Sequence, residues 1–421
     1  MRVGPVGKCG WESKPAQGRV GSMATEGPIG ERIRIYRKRR GLGQKELAGL
    51  VGRSESWLSQ VERGIRSVDR LSVLIDIARV LKTDVETLAG YPMALAPNGG
   101  ADLDGLDDIR DALSAYPGLG ISDGPVSTLD EIEQLTTEVH QRYQAADYGA
   151  AARILPGLIA ASDTIAADSR GDALLRASAV QSQVYVAAAK LVTKVGDGDL
   201  AWLAADRATS AAMRAESESL KAMAAYQVAC AFLKLDRLDQ AERIAIGTAE
   251  NFLDDSPPGL SVQGALFLIG AVIAGRRSDR PEATERLRRA QYLADALGAD
   301  GNYGWTAFGP TNVAIHQVST AAELGDAQHA VAQAETIDTS AMPPGLLSRR
   351  AQVHIDTAWA YSQHRDDPAV VINLMEAERV APQTLRYNMI VRELLRELLK
   401  RERRSATPGL RALAERSGVL H

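Results

Sequence analysis

The sequence predicts an all-α protein in which a group of short helices precedes a long α-solenoid. Aromatic residues make up only 5% of the 421 residues while alanine is abundant, which favours closely packed helices over sheets. Short amphipathic segments separated by glycine turns fill 27–90. Pairs of helical segments joined by acidic turns then recur from Leu129 onward. A chain of this length is expected to form more than one domain.

We expect four segments along the chain. Residues 1–24, with scattered charges and no apolar core, form a disordered extension. Residues 25–92 form a compact helical domain, and residues 93–127 form a linker rich in Pro, Gly and Asp with room for one short helix at 107–116. Residues 128–421 form the solenoid. The boundaries follow changes in composition along the chain.

Charge is divided unevenly between these segments. Residues 29–90 hold 13 Lys and Arg against 8 Asp and Glu, whereas residues 91–421 hold 32 against 43. A basic N-terminal domain on an acidic body indicates that a polyanion contacts the N-terminal domain alone. The sequence also predicts a cytoplasmic protein without membrane contact. It has two isolated cysteines and no signal peptide, and its apolar stretch at 264–275 is too short to span a bilayer.

The acidic turns give the solenoid its period. They are marked by aspartates 39 to 50 residues apart, and small residues at helical spacing, such as Ala241, Ala245 and Ala249, let neighbouring helices approach closely. Helix pairs repeating at about 40 residues are typical of α-solenoids, with an irregular helical bundle as the alternative. The marker residues are Asp147, Asp197, Asp236, Asp279, Asp326 and Asp366.

Residues 43–64 predict two helices joined by a tight turn. Leu47, Leu50 and Val51 are expected on the inner face of the first helix, which ends at Gly52. Ser54 can cap the second helix, and its Leu58 and Val61 are expected to face inward. The outer or flanking surface then carries Glu55, Ser56, Trp57, Ser59 and Gln60. A polar-faced helix presented by a support helix fits the DNA major groove, although Trp57 is equally suited to the core.

Basic side chains surround this helix pair. A run of arginines in the preceding helix is often only a solvated face, but beside a polar recognition helix we favour contacts with DNA phosphates. The candidates are Arg32, Arg39, Arg40, Arg53, Arg63 and Arg66.

This segment resembles the XRE family of phage-repressor and Cro-like helix-turn-helix regulators over about 29–88. The resemblance rests on Arg37, Gly41-Leu42, Gln44, Leu47-Ala48, Gly52, the run Ser59-Gln60-Val61-Glu62-Arg63-Gly64, a helix at 71–81 and the closing residues 84–88. It implies a five-helix domain in which Gln44 donates to a DNA phosphate. It also implies that Ser54, Glu55, Ser56 and Gln60 face base edges, with Trp57 and Ser59 flanking them.

The same resemblance implies a structural ion pair between Arg37 and Glu62. Two residues depart from the family pattern: Gly43 stands where Ser or Thr usually caps a helix, and Thr83 where Gly is usual. Glu55 at a reading position repels phosphate but can accept from cytosine N4, so it is expected to narrow the choice of base.

The solenoid resembles tetratricopeptide (TPR) repeats, although its repeats are longer than usual. The combination resembles XRE–TPR regulators of Gram-positive, especially actinobacterial, bacteria, which implies a peptide or protein ligand and control of dimerisation. No P-loop, metal cluster or catalytic constellation is visible, so we expect neither an enzyme nor a cofactor.

Residues 300–316 are the most site-like stretch of the solenoid because they concentrate aromatic and amide side chains in an aromatic-poor chain. They form either a ligand groove or an inter-repeat loop that plugs its own core. The candidate groove residues are Asn302, Tyr303, Trp305, Phe308, Asn312 and His316.

The sequence therefore predicts a homodimeric regulator that binds an inverted-repeat double-stranded DNA operator, with its helical domain modulated by a peptide, small molecule or protein. The alternative is a TPR scaffold, anti-activator or antitoxin-type regulator that acts mainly by capturing a protein partner.

Overall fold

The structure is a computed structural model that describes residues 29–66, 68, 71–81, 88, 103–116, 127–403 and 405–420. The chain divides into two units, Met1–Leu95 and Ala96–His421. The described residues of both units are helical or in turns, as predicted for an all-α protein. The expected disordered extension at 1–24 and most of the closing segment at 84–88 lie outside the described residues.

The first unit contains α1 (Ile29–Arg39), α2 (Gln44–Leu50), α3 (Glu55–Glu62) and α4 (Leu71–Leu81). Ile33, Leu58, Ile77 and Leu88 are at most 1% exposed and form the centre of one apolar cluster. The first and third helices approach so closely that a Cβ on Gly30 would lie 1.9 Å from the Val61 carbonyl oxygen. This contact fixes the position of α3 on the domain.

The turn between α2 and α3 follows the local sequence. Gly52 adopts φ +65°, a left-handed conformation that glycine reaches without strain. The Ser54 hydroxyl caps α3 by accepting a hydrogen bond of 3.2 Å from the Trp57 N–H. At the start of α2, Gly43 has no side chain to cap with, and the Glu46 carboxylate instead accepts from the Gly43 N–H at 2.7 Å.

The expectation that Leu50 lies on the inner face of α2 was wrong, because its side chain is 63% exposed. Leu47 and Ala48 are the buried residues of this short helix, and Val51 directly after it packs partly against the same cluster. With about 3.6 residues per turn, Leu47, Ala48 and Val51 share one side of the helix and Leu50 is rotated away from it.

The second unit begins with α5 (Leu106–Ser114) and then forms six helical hairpins and a C-terminal cap. The hairpins are α6 (Leu129–Gln144) with α7 (Tyr148–Asp168), α8 (Asp172–Val195) with α9 (Gly198–Arg214), α10 (Glu218–Lys234) with α11 (Leu238–Asn251), α12 (Pro257–Arg276) with α13 (Arg280–Leu297), α14 (Pro310–Glu323) with α15 (Ala327–Ala334), and α16 (Leu347–Gln363) with α17 (Asp367–Val380). The cap is α18 (Pro382–Tyr387), α19 (Met389–Lys400) and α20 (Leu410–Arg416). Short 3-10 turns at Tyr303–Trp305 and Thr339–Ala341 flank the fifth hairpin.

The acidic markers of the sequence lie in the six turns inside these hairpins. Each turn contains one residue with positive φ, namely Ala146, Gly196, Asp236, Ser278, Gly325 and Arg365. In four of these turns, the residue after the positive-φ residue is an aspartate whose side chain accepts a hydrogen bond from a backbone N–H at the start of the next helix. These aspartates are Asp147, Asp197, Asp279 and Asp366. The repeated signal in the sequence is therefore a repeated capped turn.

Helix packing inside the unit depends on small residues. Ala241, Ala245 and Ala249 are fully buried, as the spacing predicts.

Two helices, Tyr148–Asp168 and Pro257–Arg276, are long and apolar enough to cross a membrane by length and composition alone. The most apolar window of the second is 78% buried inside the protein, as expected of a core helix.

The row of hairpins closes on itself. The first helix of each hairpin contacts the first helix of the next, and α16 also contacts α6. At this seam, the buried Tyr148 hydroxyl lies 2.8 Å from Ser348 Oγ and 3.0 Å from Thr384 Oγ1. The Gly149 N–H donates to Gln383 Oε1 at 3.1 Å. The six inner helices therefore form a closed ring rather than an open arc.

The predicted linker at 93–127 contains structure that belongs to the second unit. Helix α5 packs against α7, and its Ile109 and Leu113 are fully buried in the main core. Arg110 also forms an ion pair of 2.9 Å with Asp197. Two apolar side chains at i, i+4 are enough to dock this short helix in an otherwise polar segment.

Candidate functional site

The outward surface of α3 is polar. Leu58 and Val61 are buried, whereas Ser54, Glu55 and Ser56 are exposed at its N-terminal end. Ser59 and Gln60 are partly buried beside them. The structure therefore brings the predicted reading residues together on one face of α3, with Ser54, Glu55 and Ser56 at its N-terminal end.

Trp57 lies at the edge of the apolar cluster of the first unit. Its ring packs partly against the apolar cluster of the first unit. The Arg53 guanidinium lies over that ring, 5.6 Å from its centroid. The indole of Trp57 therefore contacts both the apolar cluster and the exposed Arg53 beside the start of α3.

A buried ion pair holds α1 and α3 together. Arg37 donates to both oxygens of the Glu62 carboxylate at 2.6 and 2.8 Å, and it also donates to the Leu42 carbonyl oxygen at 2.8 Å. The hydrogen bond with Glu62 raises the pKa of Arg37. Such a bidentate pair fixes orientation as well as distance.

Gln44 is part of the same network. Its Nε2 donates to Glu62 Oε2 at 2.7 Å, which links α2 to the ion pair. An amide carries two N–H groups, so this contact leaves a second donor for the phosphate contact that the resemblance implies.

The basic residues divide into two groups. Arg40, Arg53, Arg63 and Arg66 are exposed, as a phosphate contact requires. Assigning Arg32 to this group was wrong: its side chain is 6% exposed, and its Nε donates to the Leu88 carbonyl oxygen at 2.8 Å. Arg32 therefore stabilises the end of the domain. The side chain of Arg39 lies outside the described residues.

In the second unit, the segment at 300–316 is held by side chains of α6. Asn302 and Gln144 exchange hydrogen bonds of 2.7 and 2.8 Å between their amides. The Trp305 ring stacks on His140 at 4.9 Å with an angle of 6° between the planes. The segment is thus fixed against the first helix of the ring.

Most of the six candidate groove residues serve this packing. Phe308 is fully buried, and a Cβ on Gly264 would lie 2.0 Å from its ring. Asn312 is also buried, and Tyr303 is 44% exposed and does not line the cavity described below. The placement of Phe308 and Asn312 in a ligand groove was therefore wrong, because the loop plugs its own core. Trp305 and His316 do line a cavity.

Two adjoining cavities of about 150 and 260 Å³ lie inside the ring. Together they are lined by all six inner helices, and the segment Gly304–Ala307 closes part of the first one. They share walls made by Thr193, Tyr226, Cys230, Arg349 and Gln352. Burial lowers the pKa of His316 in the second cavity to about 3, so its imidazole is neutral there.

Sequence reasoning missed the basic residues of these cavities. Lys190, Lys194 and Arg349 line the first, and Lys234, Arg276 and Arg349 line the second. The available signal was the pair Lys190 and Lys194 at i, i+4 within an Ala- and Val-rich helix, where an exposed polar face is not expected.

Comparison with known proteins agrees with the geometry of the first unit. A family model described as a helix-turn-helix domain matches residues 28–89. The chain is 32% identical over 87 residues to the HTH-type transcriptional regulators SinR of Bacillus licheniformis and of Bacillus subtilis strain 168. These matches cover 21% of this chain and 78% of each relative.

Among solved structures, the chain is similar to Bacillus thuringiensis PlcR in complex with the peptide PapR7 and DNA. That match covers 73% of this chain and 93% of PlcR, with a TM-score of 0.37 and 14% identity. The helix-turn-helix geometry and the SinR relatives together show that this chain belongs to the XRE family of helix-turn-helix transcriptional regulators.

Proposed function

We propose that the protein is a sequence-specific regulator that binds an inverted-repeat operator as a homodimer, with one α3 in each half-site. The observation that carries this proposal is the polar face of α3, which leaves Ser54, Glu55 and Ser56 exposed while Leu58 and Val61 anchor the helix. The exposed Arg53 before α3 and the exposed Arg63 after it suit the phosphates that border a major groove. The protein is proposed to act in the cytoplasm by binding DNA, without catalysing a reaction.

The second unit is proposed to regulate this binding through a ligand in its ring. The two adjoining cavities support this proposal because polar and apolar side chains from all six inner helices line them. If the ring has two arrangements and only one belongs to the DNA-binding dimer, a ligand that binds one arrangement more tightly shifts the population toward it. The size of the shift is set by the difference between the ligand's affinities for the two arrangements.

The test of the reading face is a gel-shift titration with the double variant Ser56→Ala and Gln60→Ala. Each lost base contact is expected to weaken operator binding by about 1–3 kcal/mol while salt-sensitive binding to random DNA persists. The control is Ser169→Ala, which removes a hydroxyl bonded to the Ile165 carbonyl in the second unit. An equal loss on operator and random DNA would contradict the assigned roles.

A further inference from the structure

The first cavity of the ring has a basic lining. Its lining contains Lys190, Lys194 and Arg349 and no Asp or Glu. Within the part of the chain that the structure describes, none of the three forms an ion pair, and only Lys190 has a hydrogen-bonded side chain, to the Trp305 carbonyl oxygen at 2.9 Å. Three basic side chains from α8 and α16 therefore line one cavity.

The second cavity extends this pattern. It adds Lys234 and Arg276, of which Arg276 pairs with Glu323 at 3.2 Å. Its one acidic lining residue, Asp356, is 1% exposed and accepts a hydrogen bond of 2.8 Å from Gln352. Burial raises the pKa of Asp356 to about 7, so this carboxyl offsets only part of the positive charge at neutral pH.

Burial of the lysines is unfavourable without an anion. Desolvation, with a smaller contribution from the charge of Arg349, lowers the pKa of Lys190 to about 7 and that of Lys194 to about 8, although Asp356 acts in the opposite direction on Lys194. Arg349 adds a guanidinium group to the same lining. An anion in the cavity would offset this repulsion.

We propose that the ring binds a phosphorylated small molecule, with a phosphate or pyrophosphate group held by Lys190, Lys194 and Arg349. A guanidinium beside two ammonium groups suits an anion with at least two negative charges. Met223, Tyr226 and Val262 line the same cavity and suit an apolar or aromatic remainder of the ligand. The cavity size and its closure by Gly304–Ala307 favour a compact ligand over an extended peptide. This inference rests on the proposed function and names the ligand class for its regulatory domain.

The test uses the full chain and inorganic pyrophosphate as the probe, in calorimetric and thermal titrations at constant ionic strength. One pyrophosphate per chain is expected to bind and to raise Tm by several degrees at saturation, because the ligand binds only the folded ring. Arg349→Gln and Lys190→Gln are each expected to weaken binding by about 10- to 100-fold, as loss of a charge-assisted hydrogen bond does. Arg288→Gln is the matched control, since Arg288 is exposed and pairs only with Glu285.

Stability of the unliganded variants provides a second readout. Lys190→Gln is expected to raise the Tm of the empty protein by about 2–4 °C, because it removes an unbalanced partly buried charge. A variant that is more stable yet binds no pyrophosphate separates a ligand site from a folding defect. Failure of pyrophosphate to bind, equal binding by Arg349→Gln and wild type, or binding of an acidic peptide that pyrophosphate does not displace would each overturn the proposal. If pyrophosphate binds but no operator is found, the proposed DNA function fails while the ligand site stands.

Discussion

Replacing Arg37 by Met is expected to destabilise the first unit by about 3–5 kcal/mol and to abolish operator binding. The reason is the burial of its partner: the Glu62 side chain is 1% exposed, so removal of the guanidinium leaves a buried carboxyl group without its ion-pair partner. The Gln44 amide is too weak a donor to replace that charge. Hydrogen exchange of the α1–α3 amides in the full chain, combined with DNA titration, measures both effects.

The matched control for this substitution is Arg34→Met in the same helix. Arg34 pairs with Glu31 at 3.0 Å, but the two side chains are 48% and 44% exposed, so the change is expected to cost about 0–1 kcal/mol. The double variant Arg37→Met and Glu62→Leu is expected to recover most of the stability, because no unpaired buried charge remains. Equal effects of the two single substitutions would contradict a structural role for the buried pair.

Replacing Tyr148 by Ala is expected to destabilise the closed ring by about 3–5 kcal/mol, as loss of a large buried aromatic ring does. Tyr148 is fully buried, stands edge-on to Tyr387 at 6.0 Å and joins the first hairpin to α16 and α18 through its hydroxyl. Burial also raises its pKa to about 12, so the hydroxyl stays protonated at neutral pH.

Hydrogen exchange locates this effect. Amides of α6, α7 and α18 are expected to lose protection first, while α10–α13 on the far side of the ring keep theirs. Tyr148→Phe keeps the ring but removes the hydroxyl, and is expected to cost only about 1 kcal/mol. A uniform loss of protection throughout the unit would contradict the view that Tyr148 closes a seam.

The helix-turn-helix was predictable from sequence because its determinants are local. The turn needs a left-handed residue at Gly52 and a cap at Ser54, and the inward spacing of Leu58 and Val61 orients the recognition helix. Arg32 was misassigned because its role depends on the Leu88 carbonyl, 56 residues further along the chain. A basic helix face has the same local pattern whether its arginines contact solvent, phosphate or a distant carbonyl.

The period of the hairpins was also predictable, because each turn repeats the same capped geometry. The cavity was not predictable, because its cations come from helices more than 150 residues apart in sequence and meet only when the ring closes. Phe308 and Asn312 show the converse problem: an aromatic and amide-rich loop has the composition of a binding site, but here these side chains fill the core. Burial against Gly264 decides between the two interpretations, and that contact is tertiary.

We expect α3 to read base pairs. The most direct measurement is selection of bound sequences from random double-stranded DNA by the full chain, in parallel with the Ser56→Ala and Gln60→Ala double variant. Wild type is expected to enrich a two-fold symmetric motif whose half-sites lie one or more helical turns, of roughly 34 Å each, apart, and the double variant is expected to lose it. Absence of any enriched motif for the wild type, or an unchanged motif for the variant, would contradict this assignment.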